Sequence, residues 1–247
     1  MTTGTTQDRA KQAAGRRAAA ELCHDGMTLG LGSGTTAHFF VRALAERVAD
    51  GLDVVGVPTS QATGDLARSL GVRLTDLEAV SELDLTIDGA DELDAQGDMI
   101  KGGGACLLWE KIISRASRRT VIVSDASKLV TTLGQFPLPI EVLPFGWTST
   151  ARLVTDLLRD AGYDICAPVR RPGSCGPLVT DSGNYLLDVR LGAIQDAATL
   201  AAELNQIPGV VENGLFINMA DAVVVGHADG TTTIREPGDI SGQDTNA

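Results

Sequence analysis

The sequence has no long apolar run and no recognisable secretory leader. Its apolar stretches all fall short of the roughly 18 residues that a membrane-spanning helix needs. Residues 1–23 also lack the apolar core of a signal peptide. We therefore expect a cytoplasmic protein with no membrane partner.

Positive charge is scarce in this chain. Lysine and arginine number 20 against 32 aspartate and glutamate residues, which gives a net charge of −12. Because nucleic-acid binding generally requires a basic surface, we expect no nucleic-acid partner. An anionic small molecule can still bind, but only at a site that is locally positive.

Cysteine and histidine are few and irregularly spaced. They form no CxxC, HxxxH or HExxH motif. The residues are Cys23, Cys106, Cys166, Cys175, His24, His38 and His227. This spacing predicts reduced thiols and no His/Cys metal site, while a metal site made of carboxylates alone stays open.

The chain does contain enough apolar sequence for a sizeable core. Its 247 residues, 43% of them hydrophobic, fit one large domain or two small ones. In the first half, short apolar runs alternate with stretches of helical periodicity, which indicates parallel strands joined by helical crossovers. The predicted helices span 7–23, 35–49, 61–70 and 106–116, and the predicted strands span 27–31, 54–57, 83–87 and 120–123. This order predicts an α/β fold with a doubly wound, mostly parallel, Rossmann-like sheet.

The second half predicts a smaller α+β domain inserted into the first. The prolines of FPLPIEVLP, residues 136–144, indicate an edge strand or a crossover between domains, and VRRPGSCGP, residues 169–177, indicates a loop. The other predicted elements are helices at 148–161 and 196–206 and strands at 163–167, 185–189, near 210 and at 222–225. The resulting predicted division is a catalytic domain of residues 1–134 and 211–240, a small domain of residues 135–210, and a disordered tail of residues 241–247.

A glycine-rich segment, GLGSGTTAH at residues 30–38, follows the first predicted strand and opens a helix. Glycines allow a sharp turn, and the N–H groups of a helix N-terminus attract an anion. The segment has neither the lysine of a Walker A loop nor the spacing of GxGxxG. We expect a phosphate to bind Gly34 and the hydroxyl-bearing Ser33, Thr35 and Thr36; a tight turn capped by threonine is the alternative.

The acidic segment TIDGADELD, residues 86–94, follows another predicted strand. It brings Asp88, Asp91 and Glu92 together at the carboxyl end of the strand, where α/β folds bind their ligands. Crowded carboxylates repel one another, so at least one pKa is expected to rise. The segment indicates either proton transfer and hydroxyl recognition or a solvated acidic loop.

Two lysine-containing segments complete the set of motifs. KGGGACLLWEK, residues 101–111, has three consecutive glycines before a helix, which favours close approach of the backbone to an anion or oxyanion. Glu110 in that helix has apolar neighbours, as a base of raised pKa requires, although a lone helical glutamate is more often exposed. Lys128 in SDASK, residues 124–128, either neutralises a phosphate or lies on the surface.

Together the motifs resemble ribose-5-phosphate isomerase of type A. The resemblance runs from about Gly30 to Phe216 and rests on GLGSGTTAHF, DGADE, KGGGA with EKI, SDASK, FPLPIEV, VTDSGN and IPGVVENGLF. It implies an aldose–ketose isomerase of the non-oxidative pentose phosphate pathway, which interconverts ribose 5-phosphate and ribulose 5-phosphate through an enediolate. It also implies a reaction without metal or cofactor, a pentose phosphate as the substrate partner, and a homodimer or homotetramer.

The resemblance also implies a role for each motif. Glu110 matches the base that moves a proton between C1 and C2, and Asp88 and Lys101 match groups that assist ring opening and polarise the sugar oxygens. The implied substrate-binding residues are Ser33, Gly34, Thr35, Thr36, Asp88, Gly89, Ala90, Asp91, Lys101, Gly102, Gly103, Gly104 and Lys128. Lys11 is a further candidate for the phosphate. Arg170 and Arg171 are expected on the surface, with a place at the rim of the site as the alternative.

Two other classes of function compete with this interpretation. An acyl-CoA transferase would use Glu110 as a nucleophile beside the glycines, but the sequence offers no basic, extended site for the CoA tail. A sugar-phosphate sensor would need a DNA-binding domain, and only about 26 residues precede the first predicted strand. A sensor would also have no need of a base at Glu110.

Overall fold

The computed structural model of the chain describes residues 5–164 and 167–240. The helices are α1 (Thr6–Leu22), α2 (Thr35–Ala49), α3 (Gln61–Ser69), α4 (Leu107–Arg115), α5 (Trp147–Asp160) and α6 (Ala197–Leu204). The strands are β1 (Thr28–Leu31), β2 (Val55–Pro58), β3 (Leu85–Asp88), β4 (Glu92–Leu93), β5 (Met99–Ile100), β6 (Thr120–Asp125), β7 (Leu138–Val142), β8 (Val169–Arg170), β9 (Pro172–Gly173), β10 (Gly176–Pro177), β11 (Tyr185–Val189), β12 (Val210–Asn213), β13 (Leu215–Phe216), β14 (Ala222–Gly226) and β15 (Thr232–Arg235). The tail predicted at 241–247 lies outside the described residues. None of the helices described combines the length and the apolar character needed to cross a bilayer.

Six strands form the main sheet, in the order β15-β14-β6-β3-β1-β2. Every neighbouring pair is parallel except β14 and β15. Its central strands are almost wholly buried, as expected where helices cover a parallel sheet. The prediction of an α/β fold with a mostly parallel main sheet is therefore confirmed.

The strand order brings distant motifs to one edge of this sheet. β1, β3 and β6 are neighbours, so their carboxyl ends lie side by side. The segments that leave these ends are GSGTT at residues 32–36, GAD at residues 89–91 and a 3-10 helix, Ala126–Lys128. Parallel pairing thus assembles groups that are almost 100 residues apart in the chain.

Helix α1 packs across α2 and brings a lysine to the same edge. Gly15 allows the two helices to touch, because a Cβ at this position would lie 2.6 Å from the backbone nitrogen of Phe40. As a result, Lys11 Nζ lies 3.3 Å from Thr35 Oγ1 at the start of α2. The N-terminal helix is therefore part of the site's wall.

A second sheet, of order β12-β7-β11-β8, is antiparallel and packs against α5 and α6. The edge-strand alternative for residues 136–144 is wrong, because β7 lies between β12 and β11. Pro139 is tolerated in this strand because β12 pairs with β7 only from Ile140 onward. The missing N–H of the proline therefore falls at the end of that ladder.

The loop predicted at residues 169–177 is also corrected by the structure. β8 pairs with β11, and β9 and β10 form a short hairpin in which Gly173 lies opposite Gly176. Gly176 has a φ of +127°, a conformation that favours glycine. The strand predicted at 163–167 is absent from Tyr163, Asp164 and Ala167, and residues 165–166 lie outside the described part of the chain.

A small sheet of order β13-β5-β4 was not predicted from the sequence. Its strands have two residues each, which is too short for a periodic pattern. β5 pairs with a strand on each side and ends one residue before Lys101. This sheet therefore fixes the position at which the glycine loop, residues 102–104, begins.

We propose that the chain divides as its sequence suggests, with a small domain inserted after about residue 134. The main sheet and the second sheet have separate apolar cores, which supports this division. The pairing of β12 with β7 favours ending the small domain at Asn213 instead of at residue 210.

Candidate active site

The loop between β1 and α2 is shaped by two glycines. A Cβ at Gly32 would lie 2.3 Å from Asp88 Oδ1, and Gly34, the N-cap of α2, has a φ of +90°. The N–H of Ser33 donates to Asp88 Oδ1 at 3.1 Å. The loop therefore wraps closely around Asp88 and presents the N-terminus of α2 to the cavity described below.

The hydroxyl of Ser33 points into the protein, although the sequence suggested a phosphate donor. Ser33 Oγ lies 2.8 Å from Thr59 Oγ1, 2.7 Å from Ser60 Oγ and 3.0 Å from Thr63 Oγ1. Thr63 Oγ1 is in turn 3.3 Å from His38 Nε2. This buried hydroxyl cluster holds the loop in shape. Because the Ser33 N–H already donates to Asp88, the part of this loop that can meet an anion is the start of α2, from Gly34 onward.

Asp88, Lys101 and Glu110 form a buried ionic cluster beside this loop. Lys101 Nζ lies 3.0 Å from Asp88 Oδ2 and 3.2 Å from Glu110 Oε1, and it donates to the carbonyl of Gly89 at 2.6 Å. None of the three charged side chains is more than 6% exposed. The ammonium group thus has one acceptor for each of its three hydrogens, and it links two carboxylates that would otherwise repel each other.

Burial governs the ionisation of this cluster. It raises the pKa of Glu110 to about 8 although the charge of Lys101 opposes the shift. It also raises the pKa of Asp88 against the same lysine. Burial alone would lower the pKa of Lys101, but the carboxylates of Asp88 and Glu110 outweigh it and the pKa lies above its usual range. The pKa of Glu110 therefore lies close to neutral pH, as it should for a general base.

Glu110 also has an oxygen that no protein group satisfies. Among residues 5–164 and 167–240, Glu110 Oε2 is buried and has no hydrogen-bond partner. An unsatisfied buried carboxylate oxygen is costly in free energy, and it is available to take a proton from a ligand. Helix α4 begins at Leu107, so this oxygen is carried by the helix's first turn.

The glycine loop, residues 102–104, connects β5 to α4. Gly102 has a φ of +110°, and a Cβ there would also lie 2.8 Å from Leu107 Cδ2. The N–H of Gly103 donates to Asp91 Oδ2 at 2.7 Å, and a Cβ at Gly103 would lie 2.6 Å from Asp91 Oδ1. The backbone conformation of Gly102 therefore requires glycine, whereas a Cβ at Gly103 would displace the Asp91 carboxylate that lies directly against the loop.

These groups meet around a single cavity of about 120 Å³. The cavity is lined by Lys11, Ser33, Gly34, Thr35, Thr36, Gly89, Ala90, Asp91, Lys101, Gly102, Gly104, Glu110 and Lys128. Of the predicted site residues, Asp88 and Gly103 are not in this lining; Asp88 pairs with Lys101, and Gly103 packs against Asp91. Two larger clefts, of about 650 and 980 Å³, contain none of the predicted residues.

The histidines and cysteines take no part in a metal cluster within the described residues, where no group of three His, Cys, Asp or Glu side chains is arranged to hold an ion. Cys23, Cys106 and Cys175 are free thiols. Cys166 lies outside the described part of the chain. The positive groups at the cavity are three lysines, Lys11, Lys101 and Lys128.

Arg171 is not the surface residue that the sequence suggested. Its side chain is 14% exposed, pairs with Asp188, and donates to the carbonyls of Gly102 and Gly103 at 2.8 and 3.1 Å. Arg170 instead stacks on the rings of Trp147 and Tyr185. The sequence gives no signal for the Arg171 contact, because the contact depends on how β8 pairs with β11.

The turn formed by VTDSGN, residues 179–184, contacts the first residues of α3 and the first turn of α4. Asp181 Oδ2 accepts a hydrogen bond from the N–H of Gln61 at 2.8 Å, at the start of α3. Ser182 Oγ accepts one from Trp109 Nε1 at 2.8 Å, in the first turn of α4. This motif therefore contacts two helices of the main α/β unit from the second half of the chain.

An α/β fold that places a buried carboxylate of raised pKa in a lysine-lined cavity fits the class of enzymes that transfer protons on a phosphorylated substrate. The family model described as ribose 5-phosphate isomerase A (phosphoriboisomerase A) matches residues 55–230. A ribose-5-phosphate isomerase A 2 of Yersinia pseudotuberculosis is 52% identical over 230 residues, 93% of this chain and 98% of the relative. A ribose-5-phosphate isomerase A of Cereibacter sphaeroides is 54% identical over 235 residues, 94% and 92% of the two chains.

Solved structures agree with these relatives. Ribose 5-phosphate isomerase from Plasmodium falciparum superposes with a TM-score of 0.88 at 34% identity, over 93% of this chain and 98% of that one. A D-ribose-5-phosphate isomerase in complex with phospho-erythronic acid gives a TM-score of 0.86 at 36% identity, over 93% and 99%.

The chain belongs to the ribose-5-phosphate isomerase A family. Its activity is the interconversion of ribose 5-phosphate and ribulose 5-phosphate, a step of the pentose phosphate pathway. The family resemblance and the predicted activity are thus confirmed, and the acyl-CoA transferase and sensor alternatives are excluded.

Proposed function

We propose that Glu110 is the base that moves the proton between C1 and C2 of the sugar. Its raised pKa increases its basicity near neutral pH, and its unsatisfied Oε2 offers a place for the proton. That unsatisfied oxygen, beside Lys101, is the observation on which the assignment mainly depends. Lys101 then stabilises charge that develops on the sugar oxygens, with Asp88 keeping it ionised and in place.

The glycine loop and the acidic turn hold the reacting end of the sugar. Gly102 and Gly104 line the same cavity as Glu110, where backbone N–H groups can stabilise an enediolate oxygen. Asp91 and the backbone of Gly89 and Ala90 contact the sugar hydroxyls. A relative's structure in complex with phospho-erythronic acid shows that a member of this family binds a phosphorylated sugar acid.

The phosphate binds at the opposite end of the cavity. The N-terminus of α2 supplies the N–H groups of Gly34, Thr35 and Thr36 and the hydroxyls of the two threonines, while Ser33 forms part of the cavity lining. Lys128 supplies charge, and Lys11 joins it from α1 through its contact with Thr35. A protein with a net charge of −12 attracts a sugar phosphate only through such a local concentration of positive groups.

The electrophile in this scheme is a lysine with backbone N–H groups, so the reaction needs neither a metal nor a cofactor. Turnover in excess EDTA should therefore equal turnover without it, when ribulose 5-phosphate formation is followed by absorbance. We also infer a cytoplasmic location and a homodimer or homotetramer, from the family; light scattering of the purified protein would measure the assembly.

The base is tested by replacing Glu110 with its amide. Glu110→Gln should lower kcat by about 10²- to 10⁴-fold, with ribose 5-phosphate binding within about tenfold of wild type, because the amide keeps the shape of the side chain. Glu78→Gln, at an exposed position, is the matched control. A kcat near that of wild type in Glu110→Gln would remove Glu110 as the base.

A further inference from the structure

Arg171 reaches the glycine loop from the second sheet. Its Nη1 donates to the carbonyl oxygens of Gly102 at 2.8 Å and Gly103 at 3.1 Å. Its Nε and Nη2 bind the two carboxylate oxygens of Asp188 on β11, at 2.8 and 2.5 Å. One guanidinium therefore connects a fixed carboxylate in the second sheet to two successive peptide groups beside the reacting carbons.

These contacts fix the direction in which the loop's N–H groups point. A trans peptide is planar, and its N–H points opposite to its carbonyl. Since Arg171 holds the carbonyls of Gly102 and Gly103, the N–H groups of Gly103 and Gly104 face away from it. The Gly103 N–H meets Asp91 Oδ2 at 2.7 Å, and Gly104 lines the cavity.

The loop needs such a support because of its composition. Three consecutive glycines have wide conformational freedom. The loop's own backbone holds the Gly102 carbonyl through the Ala105 N–H at 3.0 Å, and Arg171 adds a second donor to that carbonyl and one to the carbonyl of Gly103. A positive charge on a carbonyl also polarises the peptide, so its N–H becomes a stronger donor. The guanidinium can serve two carbonyls and a carboxylate at once because its five hydrogens lie in one rigid plane.

We propose that Arg171 is a positioning residue of the isomerase, which orients the Gly103 and Gly104 N–H groups toward Asp91 and the enediolate. The inference rests on the roles proposed above for the glycine loop and Asp91. Asp188 acts with Arg171 by holding its guanidinium in the required plane. The residue does not touch the substrate, and its effect is exerted through the backbone that does.

The neighbouring arginine provides a matched control. Arg170 carries the same charge one residue away, but its guanidinium lies 4.4 Å from the ring centroid of Trp147 and 5.1 Å from that of Tyr185. Arg171 directly follows β8, and its N–H donates to the carbonyl of Leu186 on β11 at 2.8 Å. Because successive side chains of extended chain point to opposite faces, Arg171 meets the glycine loop and Arg170 does not. Arg170→Met therefore removes a charge without touching that loop.

The experiment compares Arg171→Met with Arg170→Met in the full-length protein. We expect kcat of Arg171→Met to fall by about 30- to 300-fold, the range expected when oxyanion donors are misplaced, with KM for ribose 5-phosphate within about threefold. The inhibition constant of phospho-erythronic acid should rise at least tenfold, because its carboxylate needs the oriented N–H groups. The inhibition constant of inorganic phosphate, which needs only the other end of the cavity, should stay within about twofold.

Two results would overturn the proposal. The first is a kcat for Arg171→Met equal to that of Arg170→Met. The second is a parallel loss of kcat, phospho-erythronic acid binding and phosphate binding together with a lower Tm. This result would indicate that Arg171 has only a structural role, as a contact between the second sheet and the glycine loop. Wild-type kcat in Arg171→Met alongside an inactive Glu110→Gln variant would reject this inference and leave the proposed base intact.

Arg171→Lys tests the same idea if Arg171→Met does not fold. It keeps the charge, but a lysine ammonium lacks the planar fork that serves two carbonyls and Asp188 together. We expect at least a fivefold lower kcat, an unchanged phosphate inhibition constant and a Tm close to wild type. Full wild-type kcat in this variant would contradict a role for the guanidinium.

Discussion

Replacing Glu110 by glutamine should make the protein more stable at high pH as well as inactive. The wild-type side chain is 5% exposed, and burial raises its pKa from 4.5 to about 8. In the unfolded chain this carboxyl loses its proton near its ordinary pKa. Between the two values the native state holds a proton that the unfolded state has released, so the stability of the native state falls as the pH rises.

The size of this effect follows from the two pKa values. The contribution is fully present below the unfolded pKa and is lost as the pH rises through about 8. From about pH 5 to about pH 8 the wild-type free energy of unfolding should lose about 3 kcal/mol through this group, since one pKa unit corresponds to about 1.4 kcal/mol. The amide of Glu110→Gln does not ionise, so this part of the pH dependence of the free energy of unfolding is absent in that variant.

Urea unfolding at one fixed protein concentration measures the difference. Wild type, Glu110→Gln and the control Glu78→Gln are compared at about pH 5 and about pH 8. The difference in the free energy of unfolding between wild type and Glu110→Gln should grow by about 3 kcal/mol from the lower to the higher pH. The free energy of unfolding of Glu78→Gln should change with pH as that of wild type does. If wild type and Glu110→Gln change in parallel, burial does not perturb this carboxyl and the reasoning is refuted.

The same pKa predicts that kcat/KM rises with pH and levels off above about pH 8, because only the ionised form of Glu110 accepts a proton; a flat profile from about pH 6 to pH 9 would contradict it. Lys128→Ala should raise the inhibition constant of inorganic phosphate about tenfold while kcat changes little, and an unchanged constant would place the phosphate elsewhere. Gly103→Ala should lower kcat at least tenfold, because its Cβ would lie 2.6 Å from Asp91 Oδ1. In a double-mutant cycle, the losses of kcat in Gly103→Ala and Asp91→Ala should not be additive. Additive losses of kcat would show that the added methyl group does not act through Asp91.

Much of the fold follows from local patterns in the sequence. Alternating apolar runs and helical stretches predicted the parallel main sheet, because its central strands are short, apolar and almost wholly buried. β7 was harder to place, since the prolines of FPLPIEV obscure a central strand whose ladder to β12 starts only at Ile140. The two-residue strands β4, β5 and β13 have no pattern that a sequence can display.

The candidate site was predictable where one motif carries one role. Glycines before a helix and carboxylates after a strand indicate ligand binding through chemistry that is local to the segment. The hydroxyl of Ser33 was misread because its partners, Thr59, Ser60 and Thr63, lie on a neighbouring strand end and helix. Proximity along the sheet edge, and not the serine itself, decides where that hydroxyl points.

Arg171 illustrates why the remaining part of the site could not be predicted. In the sequence it is one of two adjacent arginines, and nothing distinguishes it from Arg170. Their contacts differ because the chain stays paired with β11 from Arg170 to Arg171, so successive side chains point to opposite faces. One side chain meets aromatic rings and the other meets the glycine loop. If Arg171 positions the glycine loop as proposed, a mutation beside the second sheet should change kcat without touching a group that meets the substrate.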